Sequence, residues 1–405
     1  MIGNPPWGAD FSHRGKTILD SDYRLNSGKY ESYIFFFERA ATLLRDDGTF
    51  GFITPSFWIS RTQTGALRDF LLHFLRPARF LVLPENVFTG VKMDSCILTA
   101  SKSSRFTTAR VAEVKSEQLG VAPTAATLEG LEREVSLAAW ETTPSLRFNP
   151  RISDADAPIL AKVTLGSLPL GGYVEITQGL TLYRRSSLIE MFGSRRAEEI
   201  VVNREFHATS KKNKTFKREL MGRDVKRFAV TWNGESWVSY GPWLAHAVDE
   251  RFFRGPRLVV QKIRNPMLKQ RLVAGYTDDD EAYSAGVLLN LIPRPQASVS
   301  LHFILALLNS RLINFWYRLT ILDVSIRVAD LSQVPIREPS ARVSTQLDTL
   351  AKRMCGLALN EARAKTSHDL EAIRRQFQAA DTEIDRLVYE LYELTPEEIA
   401  IVEKG

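Results

Sequence analysis

The sequence predicts an α/β fold followed by a mixed α/β region and a helical tail. Three observations carry that expectation. In the first hundred or so residues, short apolar runs of strand type alternate with stretches of helical periodicity, the pattern of a parallel, doubly wound sheet. From about Arg151 to Ile336 the pattern changes to short strands, Gly/Pro turns and scattered aromatics, as in "GGYVEITQGLTLY" and "RLVVQKIRNPMLKQRLVAG". Near the end, Leu370, Ile373, Phe377, Ala380, Ile384, Leu387 and Leu391 recur at three- and four-residue steps and mark one apolar helix face, read as core packing.

The elements follow in order. Ile2-Gly3 is the stump of a strand. Tyr30 to Arg45, "YESYIFFFERAATLLR", reads as a buried helix closed by Asp46-Asp47-Gly48. Thr49 to Thr54 is a short strand, and Gln63 to Phe74 has helical spacing at Leu67, Phe70, Leu71 and Phe74. Arg79 to Leu83 and Asp94 to Ser101 are two more strands with no helix between them, which predicts an antiparallel hairpin closing the edge of the sheet. Thr395-Pro396-Glu397-Glu398 is a capping box with Pro at the first helical position, so a short last helix follows. The expected division is 1–104, a connector over 105–150, 151–336, and a C-terminal helical segment over 337–405.

Composition narrows the class. With 405 residues and 44% hydrophobic content, the chain is long enough for two or three domains with real cores. Cys96 and Cys355 cannot build a disulfide framework, which points to a reducing compartment. Leu301 to Leu308 is the most apolar helical stretch, and Asn309 and Arg311 end it well short of a bilayer span. No basic region followed by an apolar run opens the chain. The expectation is a soluble cytoplasmic protein without a membrane segment.

Charge is concentrated. The formal net charge is +6, from 53 Lys/Arg and 47 Asp/Glu. Arg204 to Arg227, "REFHATSKKNKTFKRELMGRDVKR", holds nine Lys/Arg and three Asp/Glu, and so accounts for the whole excess. Such a block on a neutral body is either a polyanion contact, nucleic acid first, or a solvated surface loop.

"MIGNPPWGADF" opens the chain, and Asn4-Pro5-Pro6-Trp7 is its chemically distinctive part. The prolines fix their own φ angles and keep Asn4 and Pro5 out of the helical region, which makes a stiff, extended elbow. At the carboxyl end of a strand in a doubly wound sheet, its carbonyls face the place where such folds bind ligands. The exocyclic amine of adenine is a poor nucleophile because its lone pair is delocalised into the ring. The Asn4 side-chain oxygen and the Pro5 carbonyl can each accept one of its N–H bonds, which favours a pyramidal nitrogen aimed at a methyl donor. A base in a duplex must be flipped out to reach this elbow, and Trp7 offers a face on which it can stack.

These residues carry a resemblance. Asn-Pro-Pro-aromatic is the catalytic motif of amino-methyltransferases that use S-adenosylmethionine. It is shared by glutamine and ribosomal-RNA methyltransferases, so the segments behind it matter. Here they are "YESYIFFFERAATLLRDDGTFGFITPSFWIS" and "ENVFTGVKMDSCIL", then "GRDVKRF", "LLNSRLINFWYRL" with "LSQVPI", and "EIDRLVYELYELTPEEIAIVE". In that order the chain resembles the gamma-class N(6)-adenine DNA methyltransferases of the Type IIG restriction–modification type. The resemblance implies the C-terminal half of a Rossmann-like methyltransferase sheet, then a target-recognition domain over 151–336. It implies methyl transfer from S-adenosylmethionine to adenine in duplex DNA, in a restriction–modification or phage-defence system. Asn4, Pro5, Pro6 and Trp7 carry over as catalytic, and Asn4 also as a cofactor contact. Trp7 and Phe88 in "ENVFTG" carry over as the aromatics that stack on the flipped base; the alternative for Phe88 is a buried loop aromatic. Tyr30, Tyr33 and Phe35 are better read as helix packing than as cofactor contacts. Lys211, Lys212, Arg223, Lys226 and Arg227 are the expected DNA contacts, the "GRDVKRF" residues ahead of the lysine cluster.

In this family the glycine-rich cofactor loop lies upstream of Asn-Pro-Pro-aromatic, and an acidic residue for the ribose follows it. The sequence shows neither segment, and "GGYVEITQG" does not sit between a strand and a helix. A half-sheet exposes an unpaired edge. The readings are a gene fragment or misplaced start, one subunit of a split enzyme, or a chain that kept DNA recognition alone. The first is favoured because the break falls inside a strand. Two function classes follow. One is an incomplete enzyme that needs an upstream segment or subunit; the other is a non-catalytic DNA-specificity module.

Other chemistries fit less well. Glu113-Val114-Lys115 with Asp94 has the spacing of metal-dependent nucleases, but Asp94 already belongs to the edge-strand motif. His13, His73, His207, His246, His302 and His368 form no metal-ligand spacing with the cysteines. No metal site is expected.

Overall fold

The computed structural model describes residues 1–25, 30–84, 87–88, 93–103, 105–115 and 129–404. The chain divides into two compact units, Met1–Ala161 and Lys162–Gly405.

The first unit is built on a six-stranded mixed sheet. Its strands are β1 (Ile2–Gly3), β2 (Thr49–Pro55), β3 (Arg76–Leu83), β4 (Ser95–Ser101), β5 (Thr108–Glu113) and β6 (Arg133–Ser136). Their order is β1-β2-β4-β3-β5-β6. β1 runs parallel to β2, with Gly3 opposite Phe52. β4 lies antiparallel to both β2 and β3, and β3 is parallel to β5. Helices α1 (His13–Asp22) and α2 (Ser32–Leu43) connect β1 to β2, and α3 (Gly65–His73) leads from β2 to β3. α2 forms because "SYIFFFERAATL" is apolar almost all round, and it buries Tyr33, Ile34, Phe35, Phe37, Ala40 and Ala41. The core is aromatic: Phe37 packs on Phe50, Phe52 and Trp58, and Trp58 in turn packs on Phe80 and Phe148.

Three expectations are corrected here. The parallel part of the sheet is smaller than the strand–helix alternation predicts, because β4 inserts antiparallel between β2 and β3. The β3–β4 hairpin forms as expected, but it lies inside the sheet and closes no edge. The stretch 105–150 is no mere connector, since it supplies β5 and β6 on the far side of β3. "TARVAE" and "REVS" are too short to show a clear alternation. α1 has no apolar face to betray it and buries none of its residues; it starts because the Ser12 hydroxyl accepts the Gly15 N–H at 3.2 Å.

The second unit holds two main sheets and a set of helices. β9 (His207–Ala208), β10 (Phe216–Leu220), β13 (Trp237–Ser239) and β16 (Ala282–Ser284) form one, in the order β16-β10-β13-β9. β8 (Val174–Gln178), β11 (Val225–Lys226), β12 (Phe228–Val230), β14 (Arg257–Gln261), β15 (Ala274–Thr277) and β17 (Leu288–Pro293) form the other, in the order β11-β12-β15-β14-β17-β8. β7 (Ser167–Pro169) pairs with β18 (Pro335–Arg337). The helix Leu301–Asn309 is buried except at His302, as its sequence suggests.

The tail helices Ala341–Arg363, Ser367–Leu391 and Pro396–Lys404 lie in this same compact unit. Ala380, Ile384 and Leu387 of the predicted stripe are buried. The capping box is formed: Thr395 Oγ1 accepts the Glu398 N–H, and Glu398 Oε2 accepts the Thr395 N–H. No helix among the described residues is long and apolar enough to cross a membrane.

Candidate active site and DNA-facing surface

Asn4 follows directly on β1, so the Asn4–Trp7 elbow stands at the carboxyl end of that strand. Pro5 is buried and anchors the elbow, while Asn4 and Pro6 are exposed. The first residue of α2 clamps it: the Ser32 hydroxyl donates to the Pro6 carbonyl. That leaves the Asn4 side chain as the exposed polar group of the elbow.

Trp7 and Phe88 are half-buried and meet edge to face, with ring centroids 5.2 Å apart and planes at 86°. The Trp7 indole N–H is buried and finds no acceptor among the described residues. The structure thus brings together the two aromatics that the sequence reading assigned to one base. Glu85, Asn86 and Thr89 to Lys92 of the loop around Phe88 lie outside the described residues.

The same end of the sheet carries a pair that no motif marks. Phe57 follows β2 and is 36% exposed, and the Arg61 guanidinium sits 4.1 Å above its ring. Behind the elbow, an apolar pocket of about 190 Å³ is lined by Pro6, Ala9, Phe11, Tyr23 and Phe35 among others. Tyr33 and Phe35 are buried in the core, consistent with helix packing. Tyr30 donates its hydroxyl to Asp20 at 2.7 Å. Glu113 is taken by Arg151, with N–O distances of 2.6 and 2.8 Å, and the Arg151 guanidinium holds its carboxyl below the ordinary range.

The basic block in the second unit is largely neutralised from within. Lys211 and Lys217 pair with Glu281, Arg218 with Asp279, and Arg223 with Glu235. Arg223 and its partner are both exposed, so that pair is weak. Arg227 is different. It forms a two-pronged ion pair with Asp381, donates to the Asn309 carbonyl at 3.0 Å and lies against Phe228 and Phe377. At Arg227, one of the expected phosphate contacts, the guanidinium is engaged by Asp381 and the Asn309 carbonyl within its own unit. Lys212 and Lys226 are exposed, and no carboxylate pairs with either among the described residues.

Residues 1–88 match the Eco57I restriction-modification methylase family, and residues 217–336 match the TaqI-like C-terminal specificity domain. A Methanocaldococcus jannaschii protein named as a type II restriction enzyme and methyltransferase is 30% identical over 102 residues, 25% of this chain and 8% of that protein. The type II methyltransferase M.TthHB8I of Thermus thermophilus is 27% identical over 114 residues, 26% of each chain. The Type IIL restriction-modification enzyme MmeI, solved in complex with DNA, superposes on 98% of this chain and 55% of its own, with a TM-score of 0.61 at 15% identity; that likeness concerns the fold. The chain spans only 8% and 26% of the curated relatives. Over the matched stretches it is homologous to type II restriction–modification methyltransferases and combines a methylase segment with a specificity domain.

Proposed function

We propose that this chain supplies the base-binding elbow and the target-recognition part of a site-specific DNA methyltransferase. The reaction is transfer of a methyl group from S-adenosylmethionine to the 6-amino group of adenine. The observation that carries this reading is the elbow itself: Asn4 is exposed at the carboxyl end of β1, beside the Trp7–Phe88 pair.

The elbow's own residues supply the acceptor side of the chemistry. The Asn4 oxygen and the Pro5 carbonyl each accept one N–H of the amine and draw its lone pair out of the ring. Their contribution grows as positive charge develops on nitrogen in the transition state. Ser32 fixes the elbow by occupying the Pro6 carbonyl, so the two remaining acceptors are held in place before the base arrives. Trp7 and Phe88 offer faces for a base rotated out of the duplex. S-adenosylmethionine, when bound, supplies the electrophilic methyl group. We assign its binding to residues that pair with the free edge of β1, where Ile2 is 95% exposed, either from an upstream segment or from a partner subunit.

The test is reconstitution. The chain is combined with an upstream segment carrying a glycine-rich strand–loop–helix and incubated with S-adenosylmethionine and unmethylated genomic DNA. The DNA is then digested to nucleosides for mass analysis. N6-methyladenine is the expected product. Methyl on cytosine, or duplex binding with no transfer, would replace this reading, the latter with a specificity module. Micromolar binding of S-adenosylmethionine by this chain alone would move the cofactor site into the residues described here.

A further inference from the structure

We infer that the stretch Lys262–Lys269, led by Lys262 and Arg264, is a phosphate-contacting surface of the specificity domain for duplex DNA. This rests on the DNA-binding part of the reading above and names a contact surface outside the basic block.

Charge comes first. Arg257 to Thr277 contains five Lys/Arg and not one Asp/Glu. Arg257 and Arg271 are buried and bond to backbone carbonyls, so they serve the fold. The other three are placed differently. Lys262 is half-buried and its Nζ donates to Gln178 Oε1 at 2.8 Å. Arg264, also half-buried, donates to Gln261 Oε1 and to the Gln270 carbonyl. Lys269 is exposed and donates to the Lys404 carbonyl. Every acceptor is neutral.

The contrast with the Arg204–Arg227 block decides where an anion is wanted. There, five of the cations already have carboxylates. Here, two cations are partly withdrawn from water with no counter-charge from the described residues. Burial alone lowers their pKa values, with no carboxylate acting on either. An unpaired, half-buried cation is costly unless something anionic completes it.

The surface is also pre-formed. The Lys262 N–H donates to the Val287 carbonyl, and its carbonyl accepts the Ile326 N–H at 2.7 Å. The Arg264 N–H donates to the Val324 carbonyl, and Ile263 bridges Ser325. Residues 262–264 thus extend β14 onto a second stretch of backbone, and the cations stand on a rigid base. Ile263, Met267 and Val324 are exposed around them. A firm row of cations with an apolar surround suits a groove wall and backbone better than a small anion, which would leave the apolar groups wet.

The test is a salt titration of the intact 405-residue chain with a labelled, mixed-sequence 30-base-pair duplex. The variant is Lys262→Gln/Arg264→Gln, whose amides keep the neutral hydrogen bonds, checked by its melting temperature. The slope of log affinity against log salt should fall by about 2, one for each lost phosphate contact. Lys262→Arg/Arg264→Lys should restore it. A variant slope equal to the parent's, in a parent that binds the duplex, overturns this surface and leaves the DNA-binding reading standing. A parent that binds no duplex overturns both. Tighter binding to a single-stranded RNA of the same length, with the same slope loss, would overturn duplex DNA as the occupant.

Discussion

Trp7 and Phe88 stand edge to face at 5.2 Å, which is too close and too steeply inclined to hold a base between them. A base sandwiched at stacking distance needs its two neighbours roughly parallel and about 7 Å apart. The two rings shield each other, and on the proposed reading they part to admit the base. In the reconstituted enzyme, Phe88→Ala should therefore act mainly on DNA affinity. Loss of one stacking face costs about 1–3 kcal/mol, so KM for DNA should rise roughly 5- to 150-fold. Unchanged KM would leave Phe88 as loop packing.

Asn4→Ala should show the opposite split. It removes one acceptor from the reacting amine while Trp7 and Phe88 remain. We expect kcat to fall by roughly 10²–10³ with DNA affinity little changed. Full turnover in this variant would refute the role assigned to Asn4.

Arg227 and Lys226 are neighbours in sequence with opposite expected behaviour. Arg227→Met leaves the Asp381 carboxylate without its partner, and at a site one-quarter exposed the expected loss is about 2 kcal/mol of stability. The salt slope of DNA binding should not move. Lys226→Ala should leave the melting temperature alone and lower the slope by about 1. A slope change for Arg227→Met in a fully folded sample would return that arginine to the DNA surface.

Asp385 should make stability fall with rising pH. Burial, with the Asp381 charge adding to it, raises its carboxyl from 3.8 to about 6, against the pull of the Arg311 backbone N–H and of the Arg311 and Arg227 charges. The folded state therefore holds the proton more tightly than the unfolded one. The stabilisation this gives is complete below about pH 4 and is lost as pH rises through about 6. In Asp385→Asn, whose amide oxygen still accepts the Arg311 N–H, that dependence should disappear. Urea midpoints at pH 4 to 7.5 should diverge between parent and variant across this window and run parallel above it; curves parallel throughout would contradict the raised value.

Ser145 adopts φ 56° and ψ 28° in the turn whose carbonyl receives the Arg68 guanidinium. Its side chain is exposed, so Ser145→Gly removes left-handed strain and disturbs little packing. A gain of about 1 kcal/mol is expected in thermal unfolding. A loss would mean that the serine hydroxyl contributes more than the strain costs.

What the sequence showed was local. The elbow, the buried helix behind it and the Thr395–Glu398 box are written in neighbouring residues, through proline geometry, apolar periodicity and capping chemistry. What it hid was pairing at a distance. β5 and β6 are too short to announce themselves, and their place beside β3 comes from sheet register. Arg227 read as a free cation because Asp381 lies 154 residues away. Lys262 and Arg264 went unremarked for the converse reason: their significance is that no carboxylate comes back to meet them.

The specificity match covers residues 217–336, yet the fold does not break at those points. β8, at 174–178, completes the sheet beside β17, and β9, at 207–208, pairs with β13. Asp381, beyond the other boundary, secures Arg227. A chimaera that transplants 217–336 alone would cut β7, β8 and β9 from their partners and leave Arg227 without its anchor. β8, β9 and Asp381 belong to the same compact unit as the matched stretch, so residues 217–336 are one part of a larger folded body.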